Sequence, residues 1–180
     1  MRYDAIDPEF FVRNRANLAA KMKPNSVLII HANDITPTNA DGVLPWRQNN
    51  DLFYLTGVDQ EETVIVIYPD AHIEAEREML FVRETSEHIA IWEGEKLTKE
   101  RAIEVSGIKN VHWVDTFESA FHRLAPQVEN IYLLTNEYIR ASKVVETRNR
   151  RFINLVRAEY PLHKLERAAP LLQELRAIKD

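Results

Sequence analysis

The densest set of reactive groups in this chain lies between positions 45 and 57, Pro-Trp-Arg-Gln-Asn-Asn-Asp-Leu-Phe-Tyr-Leu-Thr-Gly. Arg47 there can present a planar donor fork to a carboxylate. Asn49, Asn50 and Asp51 carry short side chains that bond neighbouring backbone and stiffen an irregular loop. Two readings fit these residues equally, a recognition segment for an anionic group or a turn held by its own hydrogen bonds. Other chemistry is excluded by what the sequence lacks. Cysteine is absent, which removes disulfides, thiolate nucleophiles and Cys-based zinc sites together. The four glycines, Gly42, Gly57, Gly94 and Gly107, are too far apart for a phosphate loop or a dinucleotide fingerprint. No Gly-x-Ser-x-Gly elbow occurs. The six histidines are scattered, with no helical i, i+4 pair to hold a metal. Glu61-Glu62 and the Glu93–Glu95 pair read as solvated charge, because neither has a partner for acid–base work.

These groups sit in a chain of 180 residues, enough for one domain with a core, with a net charge of −5. The negative balance gives no case for nucleic acid or an anionic membrane surface. One stretch opposes it: Arg140, Lys143, Arg148, Arg150, Arg151 and Arg157 face only Glu146 between positions 140 and 157. Phe152, Leu155 and Val156 anchor that stretch to a core, so it reads as a solvated or subunit-facing helix surface. No apolar run is long enough to span a bilayer, and Asp4 and Asp7 replace the apolar segment of a signal peptide. The expectation is a soluble, cytoplasmic domain.

The elements that must position these side chains follow from local signals. Asp7-Pro8 starts a helix, which Lys23-Pro24-Asn25 stops. Ser26–His31 and Thr63–Tyr68 are continuous β-branched and leucine runs, the pattern of buried strands. Residues 32–46 form a long polar loop. Leu52–Leu55 reads as a short strand closed by Thr56-Gly57, and Met79–Val82 as another strand. Then helix and strand alternate: helix 98–105 ended by Gly107, strand 111–114, helix 116–124, strand 131–134, a long helix 144–160, strand 162–165, and a final helix from Pro170 that runs to the last residue. The pattern predicts an α/β fold, a mixed β-sheet flanked by helices on both faces.

The segment 45–57 resembles the signature of the amino-terminal domain of the Xaa-Pro aminopeptidases, also called aminopeptidase P. Asn39-Ala40-Asp41 precedes it, Ile91-Trp92-Glu93-Gly94 matches the family's Ile-Trp-x-Gly element, and Leu175-Arg176-Ala177-Ile178-Lys179 matches the linker into a catalytic domain. The resemblance runs from the helix at Phe10–Arg15 to Asp180. The Arg-Gln-Asn-x-Asp form of the motif favours aminopeptidase P over prolidase and creatinase, which share the fold.

The resemblance implies a ribonuclease-H-like layout over residues 1–170, with 171–180 opening a linker. A pita-bread metallopeptidase domain would follow. That domain would hold two manganese ions through two Asp, two Glu and one His, and would remove an amino-terminal residue that precedes proline. This domain would bind no ion itself. It would shape the substrate entrance and the contacts of a dimer or tetramer. Asp41, Trp92 and Arg176 would approach the active site, Trp92 from a neighbouring subunit, with Asp41 and Arg176 able to pair. Arg47, Asn49, Asp51, Tyr54 and Gly57 would be the structural motif. The competing expectation is a protein-binding module of a catalytically inactive relative.

Overall fold

The apolar runs become the centre of one sheet. In a computed structural model, which describes residues 6–86, 95–142 and 144–178, β1 (Ser26–His31) and β2 (Val64–Ile67) are buried along their whole length. They are joined by β3 (Glu78–Val82), β4 (Asn110–Trp113), β5 (Asn130–Leu133) and β6 (Lys164–Arg167) in the order β4-β3-β2-β1-β5-β6. β2 runs antiparallel to β1 and β3. The pairs β1–β5, β3–β4 and β5–β6 are parallel, so five strands point one way and β2 the other. This is the expected mixed sheet.

Successive strand residues face opposite sides of a sheet, and here both sides are covered. Leu28 and Ile30 of β1 pack under α1 (Pro8–Ala19), α2 (Asn50–Thr56), α3 (Lys99–Ser106) and α6 (Ala168–Ala177), through Leu18, Leu52, Leu55, Ala102 and Leu172. Val27 and Ile29 face α4 (Phe117–Leu124) and α5 (Arg148–Glu159), through Phe117, Phe121, Phe152 and Val156.

The last strand sits two residues later than the sequence reading, at Lys164–Arg167 rather than 162–165, and three other elements differ more. Residues 52–55 are not a strand but the middle of α2. Asn49 caps that helix, its Oδ1 accepting from the backbone N–H of Asp51 and Leu52 at 2.9 and 3.2 Å. Leu52 and Leu55, three apart, then share the buried face. α5 begins at Arg148 rather than 144, because Thr147 is the residue whose hydroxyl caps it; Val144 and Val145 stay 92% and 75% exposed ahead of it. α6 stops at Ala177, with Ile178 in an extended conformation, instead of continuing to the end.

Gly57 closes α2 in the left-handed conformation, φ 67°, and a Cβ there would sit 2.3 Å from the Phe11 ring. Backbone conformation and space both demand glycine. Beside it lies Arg15, wholly enclosed. Its Nη1 donates to Leu55 O at 2.8 Å and to Ser106 O at 2.9 Å, and its Nε to Glu78 at 2.9 Å. One guanidinium thus satisfies the last turns of α2 and α3 and fixes both against α1. Burial lowers the Arg15 pKa, opposed by the Glu78 carboxylate. Replacing Arg15 with Met keeps the stem but strands two buried carbonyls and a carboxylate. Arg15→Met is expected to lose about 3–5 kcal/mol of stability, read as a lower urea midpoint with an unchanged slope.

At the end of β1, Asn149 of α5 clamps His31: its Oδ1 accepts from His31 N–H and its Nδ2 donates to His31 O, both at 3.1 Å. The imidazole is edge-on to Phe152 and Phe117, with centroids 4.6 and 5.1 Å away. Neither ring nitrogen finds a partner among the described residues. Burial first, then the charges of Arg148 and Arg151, push the His31 pKa down to about 3. The unfolded chain takes up that proton near pH 6.5, so between those values the unfolded state binds more protons. The contribution of His31 is full above pH 6.5 and is lost as pH falls toward 3. His31→Phe is expected to remove up to about 1.4 kcal/mol per pH unit from the acid slope of stability in that window, measured by denaturant titration at several pH values against the parent sequence.

Candidate functional site

The segment 45–57 is wired mainly to itself and to its neighbours. Trp46 Nε1 donates to Asn33 O at 3.0 Å, and Asn33 Nδ2 returns to Arg47 O at 3.1 Å. Gln48 is buried; its Nε2 donates to Val58 O and Gln60 O at 3.1 and 2.9 Å, and its Oε1 accepts from Asn49 N–H at 2.8 Å. Thr56 Oγ1 donates to Leu52 O and accepts from Val58 N–H. Tyr54 O accepts from Asn14 Nδ2 at 2.9 Å, while its ring meets Phe10 edge-on at 6.2 Å. Most polar groups of the motif therefore satisfy backbone, which is the self-bonded turn of the two readings of this segment.

What the motif leaves free faces a cleft of about 480 Å³ at the carboxyl ends of β1, β5 and β6. Such ends, where connections leave in opposite directions, are where open α/β sheets form crevices. The chain leaves β1 toward β2 and β5 toward β6, on opposite sides. Arg47, Asn49, Asp51 and Arg176 all line this cleft. Arg176 Nη1 donates to Asp51 Oδ1 at 2.7 Å. Asp51, not Asp41, is thus the partner of Arg176. With both side chains partly in water, the pair is worth about 0–1 kcal/mol and serves to orient α6 on α2.

The other residues singled out by the sequence lie elsewhere. Tyr54 lines a second groove of about 350 Å³ with Phe10 and Arg13, and Arg176 lines both depressions. Gly57 sits in the packed interior at the end of α2. Asp41 is exposed at the tip of a small hairpin closed by the Pro37–Val43 bridge and lines neither depression. Trp92 falls outside the described residues. In the basic stretch, Arg151 pairs with Asp34 at 2.6 Å, and Asp34 also accepts from Arg148 N–H at 2.8 Å. Burial lowers the Arg148 pKa, with Glu62 and Asp34 acting against it.

Sequence reasoning did not pick out Asn33, Asn136, Glu137 or Gln173 as cleft residues. For Asn33 and Thr135–Glu137 the signal was positional: they lie just beyond the parallel strands β1 and β5, the places that open α/β sheets expose to ligands. Glu137 is committed to Arg167, whose hydrogen bonds lower its pKa. Among the described residues no three His, Asp or Glu converge as a metal site, and no helix is long and apolar enough to cross a membrane.

Known proteins place this geometry. Residues 11–132 match the family model described as aminopeptidase P, N-terminal domain. A Xaa-Pro aminopeptidase of Escherichia coli K12 is 28% identical over 144 residues, 79% of this chain and 32% of that enzyme. A structure from Bacillus anthracis assigned to aminopeptidase P superimposes with a TM-score of 0.87 at 26% identity, covering 97% of this chain and 41% of that one. The proline aminopeptidase P II of Yersinia pestis gives 0.74 at 26% identity, over 97% and 40%. This chain spans about a third of the length of the curated relatives it matches. With the matched segment covering most of the sheet, the chain belongs to the aminopeptidase P amino-terminal domain family.

Proposed function

We propose that this chain is the amino-terminal, non-catalytic domain of a Xaa-Pro aminopeptidase, an enzyme that removes a first residue preceding proline. The observation that carries the reading is the match of residues 11–132 to the amino-terminal domain family, joined to coverage of only 32% of the E. coli enzyme. A catalytic domain of the parent protein would be the first partner, and residues 171–180 would lead toward it. The two manganese ions that the resemblance implies would be held by the catalytic domain, not by this chain. The acidic groups near the cleft are committed to arginines, Asp51 to Arg176 and Glu137 to Arg167. No catalytic step is therefore assigned to this chain.

The role left to the domain is to narrow the approach of peptides and to contribute to a dimeric or tetrameric assembly in the cytoplasm. A proline-specific exopeptidase must admit a free amino terminus and refuse longer internal segments, and rigid aromatic side chains such as Trp92 make suitable walls. Asp41, exposed on its hairpin, and Arg176, which lines both depressions, are the other residues proposed to meet the entrance.

The test is a comparison of two proteins. The full-length parent, supplied with manganese, is expected to release the first residue from Xaa-Pro peptides, and the 180-residue chain is expected to release none. Cleavage by the short chain, or a parent without activity and without the five metal ligands, would overturn the reading; the latter would favour a binding module. In the active parent, Trp92→Ala is expected to lower kcat/KM about tenfold, or about 1.4 kcal/mol of transition-state binding. Its melting temperature should stay within about 2 °C, which separates an entrance role from a packing role.

A further inference from the structure

We infer that the cleft at the carboxyl ends of β1, β5 and β6 binds an extended peptide segment that carries a free carboxylate. The cleft has a volume of about 480 Å³, within the range of ligand sites, and its lining is unusually rich in carboxamides. Asn50 and Gln173 are exposed, and among the described residues their side chains bond nothing. Asn49 and Asn136 use only Oδ1, on Asp51, Leu52 and Tyr138 N–H, which leaves both Nδ2 groups available. Asn33 uses only Nδ2, which leaves its Oδ1 available.

A carboxamide carries a donor and an acceptor side by side. That is the complement of an extended backbone, whose N–H and C=O groups need partners together. Free donors and free acceptors both occur around this cleft, so it can satisfy both halves of a peptide unit.

The charge balance specifies the rest of the ligand. Asp51 is held by Arg176 and Glu137 by Arg167, so both carboxylates of the lining are neutralised. Arg47 is exposed, and among the described residues its guanidinium pairs with no carboxylate. One uncompensated planar fork at the rim of an amide-lined cleft selects a carboxylate, taken in bidentate fashion. No lining residue is aromatic, so the flat platform on which sugar rings stack is missing, and a peptide is favoured over an oligosaccharide. Nothing in this argument uses catalysis, and loss of peptidase activity in the parent would leave it standing.

The experiment is an NMR titration of the 15N-labelled 180-residue chain with three probes: tetra-alanine with a free carboxylate, the same peptide amidated at its carboxyl end, and maltotetraose. The free-acid peptide is expected to shift the side-chain amide signals of Asn50, Asn136 and Gln173 saturably, with a millimolar Kd. Amidation is expected to raise Kd about fivefold, and Arg47→Gln to abolish that difference. The double variant Asn50→Leu with Gln173→Leu should weaken the free-acid peptide about fivefold or more, with the remaining backbone spectrum unchanged. Absence of saturable shifts with the peptides, equal shifts with maltotetraose, or peptide binding that survives all of these substitutions would each overturn the proposal.

Discussion

A single enclosed guanidinium holds the architecture around the cleft in place. Arg15 projects from α1 into the interior; its Nη1 donates to carbonyls in the last turns of α2 and α3, and its Nε to Glu78 at the start of β3. Helix carboxyl ends carry partial negative charge, so a cation between two of them is favoured beyond its hydrogen bonds. The cost is the dehydration of the charge, visible in the lowered Arg15 pKa. The geometry matters more than the net energy. α2 is only seven residues long, too short to hold itself together in water. It is helical because Asn49 caps its beginning, Leu52 and Leu55 are buried, and Arg15 and Gly57 finish its end. Without that end fixed, Asn49, Asn50 and Asp51 would have no defined place at the cleft.

The second constraint is the direction of β2. It alone runs against the others, so the remaining strands deliver their carboxyl ends to one edge. The loops after β1 and β5 emerge side by side there. Asp34 and Asn149 then bind the start of α5 to the end of β1 from both chain directions, Asp34 through Arg148 N–H and Arg151, and Asn149 through both backbone groups of His31. This lashing explains why the basic residues of α5 are less a free cationic surface than the sequence suggests. Two of them are used locally, one half-buried and one in an ion pair.

The buried strands and the α1 start were legible because each rests on a local signal: continuous β-branched residues in Ser26–His31 and Val64–Ile67, and the Asp7-Pro8 pair. α2 was not. Its Leu-Phe-Tyr-Leu content suits a strand, seven residues are too few to show a helical period, and its helical state is settled by tertiary packing. The cap residues Asn49 and Gly57 did carry the signal, but read as loop punctuation they pointed to a turn. Arg15 was invisible for another reason. An arginine on an amphipathic helix is ordinarily solvated, and its partners lie 40, 63 and 91 residues away. Glu137 and Gln173 were missed likewise, because a cleft between three strand ends is a property of the sheet order and not of any one segment.

The long motif therefore divides by direction. Gln48, Asn49, Thr56 and Gly57 turn inward, where each one satisfies backbone groups or meets a conformation that only it tolerates. Arg47 and Asn50 turn outward into the cleft, and Asp51 links it to α6 through Arg176. The specificity of such a run need not mean that all of its residues meet a ligand. Here the inward half is required for a short helix to exist at this point of the sheet. The outward half can then be held at fixed spacing against residues from β1, β5 and α6, elements that come from the two ends of the sequence. The walls of this polar cleft are tied to the core by Arg15 on one side and by the Asn149 clamp on the other.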